Sequence, residues 1–380
     1  MAGKHGVAVA AAAALALTVA ACSSDSNDDS STEPAGTVAI ANPPVPPTAS
    51  SSPEGERSVT LVAYDSFPES DTSLNDALNQ FTDETGIDVN LLIAGDTGTM
   101  LAKASLTAGN PEGDVMWGID NTFLSRAIND DIFEAYVASN ADVLPDELTV
   151  LAPNGEATPV DFGDVCVNYD IAWFGDRELA PPNTMQDLTD PAYKDQFVVQ
   201  NPATSSPGLA FLLATIDEFG ADGWQDYWTA LKDNGVEVVD SWTQAYYERF
   251  SWAGGGPKPL VVSYGSSPPA EVVFADPPRE DAPTGVVATT CFRQVEFAGV
   301  LRGTAAPAEA RELIDFLIDN QFQSELALNL FVYPANVNTE LPQEFLDFAV
   351  VPAEPRTLDP ALIESNRSAW IDEWTELVLG

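Results

Sequence analysis

The chain has 380 residues, and 59 acidic against 15 basic side chains leave a formal net charge of −44. A surface this negative repels nucleic acid and anionic membranes, so neither is expected as a partner held by charge, and it suits solubility in a saline habitat. With a single histidine, His5, three cysteines, no CxxC pair, no GxGxxG and no GxxxxGK[ST], the usual motifs for metals, nucleotides and other cofactors are missing, and none is expected.

Lys4 and His5 precede an apolar run from Val7 to Val19. A permanent membrane helix needs roughly 20 apolar residues, so this run suits the core of a secretory signal instead. It ends in Val19-Ala20-Ala21-Cys22, the small-residue-then-cysteine pattern of a bacterial lipobox. Residues 1–21 are therefore read as a removable signal peptide and Cys22 as the lipidated new N-terminus, which makes the membrane a partner through a lipid anchor only. Residues 22–57 are rich in Ser, Asp, Pro, Thr and Gly and cannot bury enough apolar surface to order themselves, so they read as a tether. Removal of His5 leaves no imidazole, which excludes Ser-His-Asp and Cys-His catalysis and His-ligated zinc. In an oxidising compartment Cys166 and Cys291 are expected to form a disulfide, the alternative being two small buried hydrophobes. A carboxylate pair of the glycosidase kind stays open, but among 59 acids no pair stands out.

The roughly 320 residues beyond the tether are too many for one typical core and suit two lobes. Val59–Tyr64 alternates and is β-branched, a first strand; Leu74, Ala77, Leu78 and Phe81 recur at helical spacing before the stop at Gly86. A strand over 89–93, a helix over 100–108, a strand over 114–117 and a helix from Leu124 continue the alternation, which argues for an open, mostly parallel α/β sheet. A strand over 161–169 leads past Pro181-Pro182 into a second series, with strands over 197–199, 236–239 and 260–264 and helices over 208–219, 224–232 and 244–252. Strands over 285–290 and 293–300 return to the first lobe, and helices over 308–320, 323–330 and 360–379 follow. The expected layout is lobe 1 from 58–165 with 288–350, lobe 2 from 166–287, and a C-terminal helical segment, 351–380, packed on both. The Cys166–Cys291 bridge would stiffen the hinge. Two such lobes leave a ligand cleft at the carboxyl ends of both sheets.

The order of several short strings is specific where each alone is weak. Tyr64-Asp65-Ser66-Phe67, Gly118-Ile119-Asp120-Asn121, Asp161-Phe162-Gly163, Thr204 to Leu209, Ser241 to Tyr246, Ser263-Tyr264 with Ser267-Pro268, Tyr333-Pro334 and Trp370 to Trp374 follow one another along the chain. Together they resemble the thiamine-binding periplasmic protein family, whose members have the two-lobed periplasmic-binding-protein fold. The resemblance covers nearly everything after Ser58. It implies an extracytoplasmic solute-binding lipoprotein of an ABC importer, not an enzyme. It implies a monomer that binds thiamine or thiamine phosphate and hands it to a permease powered by a separate ATPase.

A flat cation calls for aromatic faces and nearby carboxylates. The residues expected to supply them are Tyr64, Asp65, Asp96, Thr97, Asp120, Asn121, Trp242, Tyr246, Tyr264 and Phe331. Asp65 and Asp120–Asn121 also suit plain turns or N-caps, and the aromatics also suit a core. Ser205, Ser206 and Gly208 open a helix whose amides could take a phosphate, although a Ser cap with Pro in the first turn explains the same letters. The chain has no ring at Pro68 to Asp71 or at Pro268 to Glu271, where the resemblance implies one. The alternatives are an Fe(III) binder of the same fold using Tyr246-Tyr247, a polyamine binder, or a carboxylate-based enzyme.

Overall fold

The computed structural model describes residues 57–277 and 279–380. The signal peptide, Cys22 and all of the tether but Arg57 lie outside the described residues. Arg57 itself already belongs to the first strand.

Ten strands form one mixed sheet: β1 (Arg57–Ala63), β2 (Ile87–Ile93), β3 (Val115–Asp120), β4 (Phe133–Glu134), β5 (Thr158–Asp170), β6 (Phe197–Gln200), β7 (Glu237–Val239), β8 (Leu260–Tyr264), β9 (Thr284–Leu301) and β10 (Tyr333–Pro334). Its order is β2-β1-β3-β9-β5-β8-β6-β7, with β10 on β5 and β4 on β9. At one end β1 pairs in parallel with β2 and β3; at the other β6 pairs in parallel with β7 and β8. Each parallel group is the centre of one lobe, and connecting helices cover it. The long strands β5 and β9 run antiparallel to each other and to their neighbours and carry the chain between the lobes. The mostly parallel pattern therefore holds within each lobe, while the crossing is antiparallel.

Local chemistry explains most elements. The helix Ser73–Thr85 starts at Thr72, whose side chain and that of Asn75 cap each other's backbone, and stops at Gly86 in the left-handed region. Both β1 and β3 are buried on two faces, as central strands require, and β3 has no exposed position. The chain after β8 adds a short helix, Pro268–Val273, and in place of the single helix expected over 244–252 stand a helical turn, Trp242–Gln244, and a π-helical turn, Ala245–Arg249. Among the described residues no helix is long and apolar enough to cross a membrane.

The two strands expected over 285–300 are one strand of 18 residues, β9, interrupted by a bulge. Phe292 lies opposite Val165, yet Val287 lies opposite Val167, so residues 288–291 stand out of register. Thr290 fills the gap by accepting the Val167 amide at 2.9 Å. Cys291, in the bulge, is joined to Cys166 on β5, so the disulfide ties the crossing strands where their pairing is interrupted. The bridge links positions 125 residues apart, and a long closed loop makes a cross-link restrict the unfolded chain strongly. The double variant Cys166→Ala/Cys291→Ala is expected to lose about 2–5 kcal/mol in urea denaturation. A loss below about 1 kcal/mol would show that the bulge is held by its hydrogen bonds alone.

The helix Pro360–Val378 packs on both lobes. Arg367 donates to the Thr122 carbonyl and the Ser125 hydroxyl, while Trp374 meets Trp228 edge to face at 5.3 Å and Lys232 reaches the Leu377 carbonyl. The aromatic and charged strings near the C-terminus are thus a strap across the second-lobe helix Trp224–Asp233 and the first-lobe helix Leu124–Asn129.

Candidate functional site

Five of the parallel strands, β1, β2, β6, β7 and β8, lead into one cleft. Beyond β1 come Tyr64 and Asp65; beyond β2, Asp96 caps the helix Thr97–Leu106; beyond β6, Ser205 precedes the helix Ser206–Phe219. After β7, Ser241 caps the turn that carries Trp242, and β8 itself ends in Tyr264. The cleft holds a cavity of about 80 Å³ and is partly open to solvent. Tyr64, Asp65, Asp96, Thr97, Ser206, Trp242, Tyr246, Tyr264 and Phe331 all line it.

The aromatic wall is built by the turn after Ser241. Trp242 and Tyr246 stack at 4.9 Å with planes 15° apart, and Tyr247 meets Trp242 edge-on at 5.4 Å. The π-helical turn puts one extra residue into the step, which is how two adjacent tyrosines both reach Trp242. Trp242 donates its indole N–H to Ser263 Oγ at 3.0 Å, and Tyr246 donates its hydroxyl to Glu271 at 2.8 Å. These bonds fix both rings. Trp252 donates to the same Glu271 and does not line the cleft.

The lobes touch across the cleft. The Trp242 amide donates to Asp96 Oδ2 at 3.0 Å, and the Gly98 amide donates to the Thr204 carbonyl at 3.0 Å. A Cβ on Gly98 would come within 2.7 Å of the Ala203 carbonyl, so the approach needs glycine there. Phe331 closes the mouth against Phe274, with ring centres 5.6 Å apart.

Four of the expected residues stand behind the wall. Asp120 is fully buried, accepting from Thr122 twice, from Phe123 and from Gln294. Asn121 pins β3 to β9 by accepting the Val295 amide and donating to the Arg293 carbonyl. Ser205 is buried before the helix and makes no side-chain cap. Gly208 serves packing, since a Cβ would sit 2.5 Å from the Gln200 carbonyl at the end of β6. Conversely, Ser267 and Glu296 line the cleft without having been expected there, and Tyr247, expected only under the iron alternative, lines it too. Tyr247 had a signal as the neighbour of Tyr246; Glu296 had none among so many acids.

Acid gathers in the cleft, at Asp65, Asp96 and Glu296, and behind it, at Asp120 and Asp161. Burial pushes Asp96 up to about 6, against the Trp242 amide bond that holds it down, and pushes Asp120 up to about 6. Burial pushes Asp161 up to about 7 although the Trp117 indole donates to it, and drives Glu296 well above the usual carboxylate range. Asp65 is raised by burial too, partly offset by hydroxyls of Thr243 and Ser241. Among the described residues no Lys or Arg forms an ion pair with any of these five. Nor is there a cluster of three or more His, Cys, Asp or Glu side chains placed to hold a metal. Such a site favours a flat, positively charged guest.

Comparison with known proteins agrees with this geometry. Residues 112–266 match the family model described as bacterial extracellular solute-binding protein. The thiamine-binding periplasmic protein of Escherichia coli (strain K12) is 26% identical over 322 residues, covering 84% of this chain and 93% of that one. The solved structure of a periplasmic thiamin binding protein superposes with a TM-score of 0.73 at 25% identity, over 84% of this chain and 96% of that one. Iron-bound HitA from Pseudomonas aeruginosa shares the fold, with a TM-score of 0.64 at 18% identity over 84% of this chain and 99% of that one. In sequence and in fold, the chain is similar to the thiamine-binding periplasmic proteins and has the two-lobed fold of periplasmic binding proteins.

Proposed function

We propose that this protein captures thiamine, or its phosphate, between its lobes and delivers it to an ABC permease driven by a separate ATPase. The observation that carries the reading is the cleft itself: stacked rings on one wall, the acids Asp65, Asp96 and Glu296 in its lining, and, among the described residues, no basic side chain paired with them. Thiamine is a flat aminopyrimidine joined to a thiazolium with a permanent positive charge. One cation over a ring contributes about 0.5–2 kcal/mol, whereas micromolar binding needs about 8 kcal/mol, so rings, acid and hydrogen bonds must act together. Ser206, which opens a long helix and lines the cleft, is where a phosphate would meet free helix amides. No chemistry on the ligand is involved. Ligand contacts to both lobes shift the population toward the closed form, which the permease reads.

The protein works as a monomer outside the cytoplasm, exported by its signal and held to the membrane by lipid on Cys22. An iron site on the tyrosine pair is disfavoured, because Tyr246 already gives its hydroxyl to Glu271. The test is calorimetric titration of residues 23–380, stripped of co-purified ligand, with thiamine and thiamine phosphate at low and high salt. Binding at micromolar or tighter is expected, and the ranking of the two tests the Ser206 end. Absence of heat and of a thermal shift with both ligands, at both salt levels, sinks the thiamine reading.

A further inference from the structure

We propose that Glu296 is the residue that senses the ligand's positive charge, and that a bound cation displaces a proton held along a row of buried acids. The proposal rests on the functional reading above and deepens it. Glu296 on β9 lies directly opposite Asp161 on β5 and directly opposite Asp120 on β3. Paired positions on adjacent strands project to the same face with Cα atoms about 4.5–5.5 Å apart, so three carboxyl groups stand side by side. Like charges opposed in this way disfavour the sheet.

The hydrogen-bond supply is unequal: Asp120 accepts from Thr122 twice and from Phe123 as well as from Gln294, and the shortage falls on Asp161 and Glu296. Gln294 gives one amide nitrogen to Asp120 at 2.8 Å and reaches Glu296 at only 3.4 Å, and the Trp117 indole serves one oxygen of Asp161. The other oxygens of Asp161 and Glu296 are buried without a partner. The remaining groups facing the row add no cation. Asp96 comes from the loop before the helix Thr97–Leu106, Tyr64 from the end of β1 and Tyr264 from the end of β8. The cations nearby are directed elsewhere: Arg293, three positions before Glu296 on β9, is held by Asp164, and Arg367 lies behind Asp120 on the Thr122 carbonyl. A retained proton relieves the repulsion and lets a neutral carboxyl donate to its unpartnered neighbour.

Of the three acids only Glu296 lines the cleft, so it is the member a ligand touches. The exchange balances simply: the carboxyl loses its proton to solvent, and the thiazolium takes its place as the compensating charge. Burial and the neighbouring acids hold the Glu296 carboxyl well above the usual carboxylate range, so the exchange falls at that raised titration point. Below it, cation binding releases a proton and affinity rises with pH; above it, both effects vanish.

The test uses the same chain, residues 23–380, as wild type and Glu296→Gln, titrated with thiamine between pH about 5.5 and 8 in two buffers of different ionisation enthalpy. The expected result for wild type is release of close to one proton at the acid end and an affinity about tenfold higher at the alkaline end. Glu296→Gln should release distinctly less than wild type, leaving only the contribution of Asp96, show a flatter pH profile and bind at least about tenfold more weakly near pH 8. Deazathiamine, whose thiophene ring is neutral, should bind both proteins alike and release no proton. Tight binding of thiamine to wild type with no proton released and no pH dependence overturns the proposal.

Melting curves of the ligand-free proteins decide the row even if thiamine does not bind. A carboxyl with a raised folded-state value binds more protons in the native than in the unfolded chain, so native stability falls as pH rises from about 4 to about 7. Wild type should therefore lose stability relative to Glu296→Gln over that range. Failure of thiamine to bind together with this gap would defeat the ligand but support the proton-holding row; identical pH profiles would defeat the row.

Discussion

Trp242→Ala should weaken thiamine binding by about a hundredfold while leaving the melting temperature within a few degrees of wild type. The magnitude follows from two losses at one ring. A desolvated cation over Trp contributes about 2 kcal/mol, the face that aligns Tyr246 contributes about 0.5–1.5 kcal/mol more, and each 1.4 kcal/mol is tenfold. The fold survives because Trp242 opens a three-residue turn and is only half-buried. Its hydrogen-bond partner Ser263 keeps a second bond, to Ser267 at 2.8 Å, so no polar group is orphaned. Tyr64→Ala, on the opposite wall, should cost more than tenfold. Calorimetry on both variants, with circular dichroism as the folding control, checks this. Near-wild-type affinity in both would remove the assignment of the cleft as the binding site.

Arg293→Ala should cost about 3–5 kcal/mol of stability at neutral pH, the largest effect expected of a single change outside the cleft. Arg293 holds both oxygens of Asp164, at 2.7 and 3.3 Å, across the β5–β9 crossing. Asp164 is nearly fully buried, and burial raises its carboxyl while the Arg293 bond and charge hold it down. Without the guanidinium a carboxylate would be left buried and alone, so the group stays protonated and destabilises the fold increasingly as pH rises from about 4. Urea denaturation near pH 7 and near pH 5 should show a deficit that shrinks in acid. Arg293→Ala/Asp164→Asn should recover part of it. A loss below about 1 kcal/mol at both pH values would mean that the pair is no more than a solvated surface contact.

Much of the architecture is legible along the chain because it rests on local chemistry. Helical spacing between Leu74 and Phe81, with Gly86 at the left-handed stop, is enough to place a helix. The β-branched runs of β1 and β8 mark strands in the same local way, since each residue's own geometry and burial decide the element. The cleft residues that follow strand ends, Tyr64, Asp96, Trp242 and Tyr264, are legible for a similar reason: parallel sheets place their ligands there. Motif letters do not separate a residue that faces the cleft from one that supports it. Asp120, Asn121, Ser205 and Gly208 share the strings of the site but turn into the protein, because their hydrogen bonds or a close backbone approach hold the strands and helix behind the wall.

By itself, then, the sequence determined the two α/β lobes and marked the aromatic and acidic residues that follow the strand ends. Only the tertiary structure decided three things. The bulge that makes one strand of β9 and brings Cys291 to Cys166 is a matter of cross-strand register. The π-helical turn that sets two tyrosines against Trp242 depends on how the chain must meet the cleft. The row of Asp161, Glu296 and Asp120 exists because three strands distant in sequence lie side by side. Register and packing are long-range quantities, and no local run of residues encodes which acid will stand opposite which.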